Sequence, residues 1–289
     1  MRAVDGALLR HAYRVAETYH AVVYFAPETK EHYTEAGLKG GWMGYFASRA
    51  AALGPVQPEI VEALFFNFHP TMVRRAIPDA WGFSNPERVI EARLRVADAA
   101  LRRILDDDVE DASIGDALDI ARDALQACSP QGRALFAAYL SLPWPEASHL
   151  GLWHACTLLR EYRGDGHIAA LVTSGLDGLE AHILAVGVGR FPRAGIQPFR
   201  GWSDDEWATA EQRLQARGLI DGSGIATAAG SALRDRIEDL TDELSSAPWQ
   251  RVGPERTERF DELMTPLARR IVAGQAIPFP NPMGLKSTN

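Results

Sequence analysis

Residues 152–172 read Leu-Trp-His-Ala-Cys-Thr-Leu-Leu-Arg-Glu-Tyr-Arg-Gly-Asp-Gly-His-Ile-Ala-Ala-Leu-Val, and this stretch decides the fold prediction. Apolar residues recur at helical spacing on both sides of Gly164-Asp-Gly166, and clustered glycines commonly break a helix. The pattern therefore predicts a helix, a tight turn at residues 164–166, and a second helix over residues 167–186.

The composition of the second helix bears on which partner such a helix pair would bind. When two helices joined by a turn bind DNA, the second one enters the major groove. Residues 167–186 contain no Lys or Arg and do contain Asp177 and Glu180, whereas contacts to phosphates and guanines depend on basic side chains. The shape thus favours a DNA reader, and the chemistry argues against one.

The whole chain has the composition of an acidic globular protein. Its 289 residues carry a formal net charge of −8 with only three lysines, which lowers the expectation of DNA binding without excluding a local basic patch. The two cysteines, Cys128 and Cys156, predict neither a disulfide framework nor a paired metal site. No apolar run approaches the ~20 residues of a spanning helix, and no targeting pattern is evident. A cytoplasmic protein without a membrane partner is predicted.

Proline-rich connectors divide the chain. Leu142-Pro-Trp-Pro145 is rigid, and we place there the boundary between an N-terminal helical half, residues 1–142, and a C-terminal half, residues 143–289, with an extended Pro-rich tail. Within the first half, Pro70 is expected to kink or split a helix over residues 59–76.

The second half carries two further signals of local structure. Ser203 and Glu206 have the spacing of a capping box at a helix start. The glycines within residues 218–227 predict a tight two-stranded hairpin, and a long amphipathic helix follows over residues 228–246.

The two halves echo each other. An offset of 110 residues aligns Gly54 with Gly164, and an offset of 115 residues aligns two Gly-x-Ala-Leu helix starts. Since repeats decide a fold, we expect residues 42–128 and 152–246 to superpose about an approximate two-fold axis.

The hairpin region resembles a known family. Arg217-Gly-Leu-Ile220 and Thr227-Ala-Ala-Gly230 flank the predicted hairpin and resemble the wing and following helix of MarR-type winged-helix regulators. Nearly the whole chain also resembles an actinobacterial family labelled helix-turn-helix, a resemblance that implies a scaffold and no specific activity. The motifs that carry it are Pro143-Trp-Pro145, Leu159-Arg-Glu161, Arg163-Gly-Asp-Gly-His167, Arg200-Gly-Trp202 and Asn281-Pro-Met-Gly284.

The MarR-type resemblance implies an all-α fold with small β-wings, in which two tandem winged-helix-like (MarR-like) halves form an intramolecular pseudo-dimer. MarR-type proteins dimerise and bind small aromatic ligands between their dimerisation and winged regions, so a fused pair would enclose a pocket. Their wings carry a basic residue that enters the minor groove. Here the turn is Asp221-Gly-Ser-Gly224, without Arg or Lys.

Polar and aromatic residues near the predicted turn form the candidate ligand site. Arg presents planar paired donors that suit a carboxylate, and Trp rings supply flat walls for an aromatic ligand. We expect His167, Arg160 and Glu161 to face a shared cavity, with His69 of the first half as a partner. The candidate ligand-binding residues are His69, Trp153, His154, Arg160, Glu161, Arg163, Asp165, His167 and Trp202.

Other interpretations of these residues stay open. The charged ones could form an internal ion-pair network that pins the turn. A metal site needs three close ligands, which the spacing of His149, His154 and Glu161 predicts only weakly, so no metal ligands are assigned. Haem would need one axial His in an apolar pocket, as at His69 or His182, although a lone His there is more often a hydrogen-bonded core residue. The cofactor is left unknown.

These observations lead to two functional hypotheses. The first is a cytoplasmic protein that binds an aromatic or anionic small molecule, haem included, on a winged-helix scaffold that has lost DNA binding; an enzymatic role is open, since His, Arg and Glu could do acid–base work. The alternative is a ligand-responsive MarR-like transcription regulator that binds DNA. The oligomeric state is not predicted.

Overall fold

The computed structural model describes residues 4–279, 281 and 283–285. Residues 1–3 of the predicted first half, and Pro280, Pro282 and residues 286–289 of the predicted tail, lie outside the described residues. Within the described part the chain is helical and contains no β-strand. Its α-helices are α1 (Gly6–His20), α2 (Val22–Phe25), α3 (Glu28–Glu35), α4 (Gly41–Ala50), α5 (Pro58–Phe65), α6 (Pro70–Arg74), α7 (Ala80–Phe83), α8 (Pro86–Leu105), α9 (Ala112–Leu125), α10 (Ala134–Leu140), α11 (Ser148–Thr173), α12 (Gly178–Gly187), α13 (Asp204–Ala216), α14 (Ala228–Leu244) and α15 (Ala247–Ala273). Short 3₁₀-helices connect some of them at Ala51–Leu53, Asp106–Glu110, Arg193–Gly195 and Gln197–Phe199.

The turn predicted at Gly164-Asp-Gly166 is wrong, because these residues lie inside the continuous helix α11. Packing explains why the helix continues through them. A Cβ at Gly166 would lie 2.8 Å from Nη1 of Arg133 and 3.3 Å from Cβ of Leu244, so the residue sits where two other segments approach the helix closely. Asp165 faces inward and accepts a hydrogen bond from the backbone N–H of Phe136 at 3.0 Å. Tertiary contacts thus override the low helix propensity of glycine.

The chain turns ten residues later than predicted. Gly175 adopts a left-handed conformation with φ 68°, and α12 leaves α11 at an angle of 91°. The predicted helix over residues 167–186 is therefore divided between the end of α11 and α12. The helix that immediately precedes the hairpin is α13.

Capping side chains define the starts of α12 and α13. The predicted capping box is confirmed at α13, where the side chain of Ser203 accepts from the backbone of Glu206 and the Glu206 carboxylate accepts from the backbone of Ser203. Asp177 and Glu180 form a second capping box at α12. Asp177 and Glu180 are the two acidic residues noted above in residues 167–186, and both of them thus cap the start of a helix.

The predicted two-stranded hairpin is reduced to a tight loop. A single antiparallel bridge joins Ile220 and Ala226. The carboxylate of Asp221 accepts from the backbone N–H groups of Ser223 and Ile225, at 2.8 and 3.0 Å, and so fixes the loop. No wider pairing forms among the described residues.

Two hydrophobic cores organise the molecule. The first is built mainly by α1, α9, α11 and α15, which make the most extensive interhelical contacts. It crosses the predicted boundary at residues 142–143, since it combines Leu135 with Leu152 and Trp249. The second core lies around Trp207 and joins the end of α11 to α12, α13 and α14; we call α12–α14 with their connections the α12–α14 unit.

The first half differs from the second in its local structure. The predicted break at Pro70 is confirmed, because α5 and α6 are separate helices, with Phe66 between them at φ 30°. Only residues 84 and 85 separate α7 from α8, so no hairpin lies there. The 110-residue register is wrong, because Gly54 ends a helical segment at φ 82° whereas Gly164 lies within α11.

The length and apolarity of a helix decide whether it could span a membrane. In the part of the chain that the structure describes, no single helix has both the length and the apolarity of a membrane span, although the bent pair α11 and α12 meets that test jointly.

Candidate functional site

A cavity of about 300 Å³ lies between the first core and the α12–α14 unit. Helix α11 forms its floor with Arg160, Arg163 and His167, which share one helix face because they follow each other at steps of three and four residues. Helices α4 and α5 close one side, and α12 and α14 close the other. Residues from both predicted halves therefore line one space.

A buried ion-pair network lies at one end of the cavity. Glu161 is fully buried and accepts from Nε and Nη2 of Arg49 at 3.2 and 3.1 Å, and from Nη1 of Arg160 at 2.7 Å. Burial alone would favour the neutral carboxyl, but Arg160 and Arg49 hold the pKa of Glu161 well below its usual range. One carboxylate thus serves two guanidinium groups.

A second cluster lies on the α14 side and consists of Glu238, Arg163, Arg190 and Arg234; we call it the Glu238 cluster. Arg190 lies 3.2 Å and Arg163 3.8 Å from the Glu238 carboxylate, which also pairs with Arg234. Asp242 adds a contact to Arg163 at 2.7 Å. Burial raises the pKa of Glu238, but Arg234 and Arg190 outweigh this effect and bring it to about 2. The three arginines of the cluster therefore share Glu238, and the Asp242 carboxylate that contacts Arg163 also pairs with Arg10.

One donor of the Glu238 cluster has no protein acceptor. Nη1 of Arg234 is buried and makes no hydrogen bond within the described residues. Burial, together with neighbouring Arg190, lowers the pKa of Arg234 below its usual value, although the group stays charged at neutral pH. A buried cationic donor without an acceptor is costly, which points to an anion that completes it.

Two histidines line the cavity in the neutral form. His167 contacts Oγ1 of Thr241 through Nδ1 at 2.9 Å, and burial lowers its pKa to about 4. Burial, followed by the charge of Arg200, lowers the pKa of His182 to about 3. Neither imidazole is poised near neutral pH for acid–base catalysis.

Aromatic rings form the wall toward the first half. Tyr45 and Phe68 lie with ring centroids 5.4 Å apart, and the guanidinium of Arg49 lies 4.3 Å from the centroid of Phe65. Phe191 and Tyr24 add further faces. The cavity therefore combines cationic ends with flat apolar walls, a combination suited to an anionic aromatic molecule.

The structure brings together four of the predicted site residues. Arg160, Arg163 and His167 line the cavity, and Glu161 lies beneath it. Asp165 lies on the opposite face of α11, where burial raises its pKa to about 6. Its contact with the backbone of Phe136 ties α10 to α11 rather than serving the cavity.

The other four predicted residues lie outside this cavity. Trp153 is in the first core and donates from Nε1 to the carbonyl of His20 at 3.2 Å. His154 packs edge-on against Trp144 at 4.9 Å, and burial lowers its pKa to about 4.

His69 and Trp202 meet each other where the first half contacts α13. Their ring centroids are 4.7 Å apart, and Trp202 donates from Nε1 to the carbonyl of Asn67 at 3.0 Å. His69 contacts Thr71 through Nδ1 and Glu206 through Nε2. Both of its ring nitrogens are engaged, so His69 offers no free nitrogen to haem. No group of three His, Cys, Asp or Glu residues among the described residues could hold a metal ion.

The amino-acid sequence identifies the family of this protein. A family model described as a helix-turn-helix family matches residues 9–278, nearly the whole chain. The chain belongs to this helix-turn-helix family. No curated protein and no solved structure matches it significantly.

Helix α13, directly before the hairpin, is the second helix of the pair α12–α13, and the second helix is the one that enters the major groove in DNA-binding helix-turn-helix proteins. It begins with Asp204, Asp205 and Glu206. Its Arg213 is held by Asp177 at 2.7 Å and by Glu180 at 2.8 Å. The surface that would approach phosphates is thus acidic at its start, and the cation nearer its end is already paired.

Sequence reasoning missed several cavity residues. Arg49, Arg190 and the pair Arg234 and Glu238 come from three separate segments, so no local motif joins all of them. One signal was available within α14: Arg234 and Glu238 are four residues apart and next to its apolar stripe, a spacing that places two side chains on one helix face.

Proposed function

We propose that this helix-turn-helix protein binds an anionic aromatic small molecule in the cavity between its two cores and that it does not read DNA. The observation that carries the proposal is the Glu238 cluster, in which Nη1 of Arg234 lacks an acceptor beside aromatic walls. A carboxylate or sulfonate would complete the hydrogen bonds of that guanidinium. The aromatic side chains would then contact the body of the ligand.

We further propose that the molecule is a pseudo-dimer of two helix-turn-helix halves, with α1 equivalent to α11 and α9 equivalent to α15. A two-fold axis requires that each contact between unlike elements occur twice. The packing supports this, because α1 contacts α15 while α11 contacts α9, and the like pairs α1–α11 and α9–α15 also pack together. This equivalence replaces the predicted offset of 115 residues, which aligned the starts of α9 and α14. It would put the cavity between the halves, as the MarR-type resemblance implies.

The fluorescent probe 8-anilinonaphthalene-1-sulfonate tests ligand binding. We expect saturable binding at one site and a loss of about 10- to 100-fold in affinity in Arg234→Met, because a hydrogen bond to a charged group is worth about 1.5–3 kcal/mol. The matched control is Arg102→Met, which removes an exposed arginine paired with Asp98 on α8. Equal affinity of both variants would contradict the proposal, as would the absence of saturable binding to the wild type.

The alternative function, a ligand-responsive DNA-binding regulator, is favoured by the family alone. We expect no sequence-specific DNA binding, because the start of α13 is acidic and Arg213 is paired. Specific binders reach about 10⁻⁸–10⁻¹¹ M at physiological salt. A gel-shift titration against the DNA upstream of the coding region, at about 0.15 M salt, checks this. Nanomolar binding that competitor DNA of scrambled sequence does not displace would establish the regulator instead.

The proposal assigns no reaction to the cavity, because both of its histidines are neutral and have low pKa values. The cytoplasmic location stays a prediction, as does the division at residues 142–143.

A further inference from the structure

The cavity holds a second unsatisfied group, on α12 rather than on α14. Nε2 of His182 is buried and has no hydrogen-bond partner within the described residues, and the side chain is 7% exposed and lines the cavity. His182 lies near Phe191, with ring centroids 6.3 Å apart. Because His182 lines the cavity, a ligand bound there would supply the missing hydrogen-bond partner of Nε2.

The contacts of His182 decide which kind of partner its Nε2 needs. The backbone of Asn67 acts on the ring as a hydrogen-bond partner, whereas Nε2 has no partner among the described residues. We assign the Asn67 bond to Nδ1, which would donate to the backbone carbonyl and leave the lone pair of the neutral ring on Nε2. In this tautomer Nε2 lacks a donor.

The neighbouring charged groups keep the imidazole of His182 neutral. Arg200, Arg190 and His167 act electrostatically on His182, and both arginines oppose its protonation. Arg190 is engaged by Glu238 at 3.2 Å. His182 therefore stays an acceptor at physiological pH, close to the Glu238 cluster where the anionic group would bind.

We propose that the ligand is a hydroxylated aromatic acid, with its acidic group bound by Arg234 and its hydroxyl donating to Nε2 of His182. This inference rests on the proposed function and adds the feature of the ligand that would determine specificity. A site built around a buried acceptor discriminates strongly against analogues that lack the donor, since they leave the acceptor desolvated and unpaired. His182 is here a binding residue and takes no proton from the ligand.

Two matched series of probes test the inference by titration calorimetry. The first comprises 6-hydroxy-2-naphthoate, 6-methoxy-2-naphthoate and 2-naphthoate, and the second comprises 4-hydroxybenzoate, 4-methoxybenzoate and benzoate. In at least one series we expect the hydroxy acid to bind at least 10-fold more tightly than both analogues. The methoxy analogues keep an oxygen acceptor but cannot donate, so they isolate the donor.

Variants of His182 assign the preference to this side chain. His182→Leu should abolish the preference for the hydroxy acid without weakening the binding of the unsubstituted acid, because no unpaired acceptor is then left. Arg234→Met should instead weaken all members of a series alike. His182→Gln, which restores an acceptor oxygen, should recover part of the preference. Melting temperatures and far-ultraviolet circular dichroism confirm that each variant is folded.

The outcomes separate the two proposals. If the methoxy or unsubstituted acids bind as tightly as the hydroxy acid, or if His182→Leu keeps the preference, this inference is overturned while the proposed function stands. If neither the acids nor 8-anilinonaphthalene-1-sulfonate bind to the wild type, the proposed function fails and this inference fails with it. Should His182→Leu not fold, the wild-type comparison and His182→Gln still decide.

Discussion

Glu161→Gln is expected to destabilise the protein by about 3–5 kcal/mol, the usual cost of removing one partner of a buried ion pair. The variant keeps the size of the side chain but leaves the guanidiniums of Arg49 and Arg160 without their shared carboxylate in a fully buried position. Urea unfolding followed by circular dichroism gives the free energy of unfolding directly.

The matched control for Glu161→Gln is Glu91→Gln. Glu91 pairs with Arg95 at 2.9 Å on the exposed face of α8, where such a pair contributes about 0–1 kcal/mol. A loss below about 1 kcal/mol in Glu161→Gln, equal to that of the control, would show that the buried network does not hold the halves together.

The same carboxylate gives the stability a defined pH dependence. Because the folded-state pKa of Glu161 lies well below its unfolded value, its contribution is fully present above the unfolded pKa. That contribution is lost as the pH falls through the range between the two values. Glu161→Gln should accordingly lose less stability than the wild type on acidification below about pH 4.

Gly178→Ala is expected to destabilise the protein by about 3 kcal/mol or more, at or above the upper end for overpacking. A Cβ on this residue would lie 2.0 Å from the carbonyl oxygen of Phe66. The obstacle is backbone and cannot rotate away, so α12 would have to move off the first half. Loss of binding of 8-anilinonaphthalene-1-sulfonate should accompany the loss of stability, because α12 forms one side of the cavity.

Gly115→Ala provides the control for this substitution. Gly115 also lies near a helix start, in α9, but a Cβ there meets no atom within 4 Å. Alanine should stabilise that helix by about 0.5–1 kcal/mol. If Gly178→Ala behaves like Gly115→Ala in thermal and urea unfolding, the close approach of α12 to Phe66 is not required by the fold.

Local signals predicted those parts of the fold that depend on local chemistry. The spacing of Ser203 and Glu206 predicted a capping box because both partners lie within one turn. The glycines near Ile220 predicted a tight reversal, although they overstated its strand content. The glycines at 164 and 166 misled because the helix passes Gly166 where Arg133 and Leu244, both distant in sequence, approach it closely.

In the candidate site, too, contacts between residues distant in sequence could not be predicted. Arg160, Glu161 and His167 were grouped in advance because a predicted turn would bring them close, whereas the structure brings Arg160 and His167 together on one face of the continuous helix α11. Arg234 and His182 could not be grouped in advance, because their importance depends on unpartnered atoms that meet only when α12 and α14 pack against α11.

Helix α11 is long enough to take part in both hydrophobic cores. Its 26 residues form one rod about 39 Å long at ~1.5 Å per residue. Leu152 and Leu158 at one end belong to the first core, and Ala170 and Leu171 at the other end belong to the second. Neither core can melt without fraying a helix that the other needs. We therefore expect the two cores to unfold together, so that the α12–α14 unit does not open on its own as a tethered domain would.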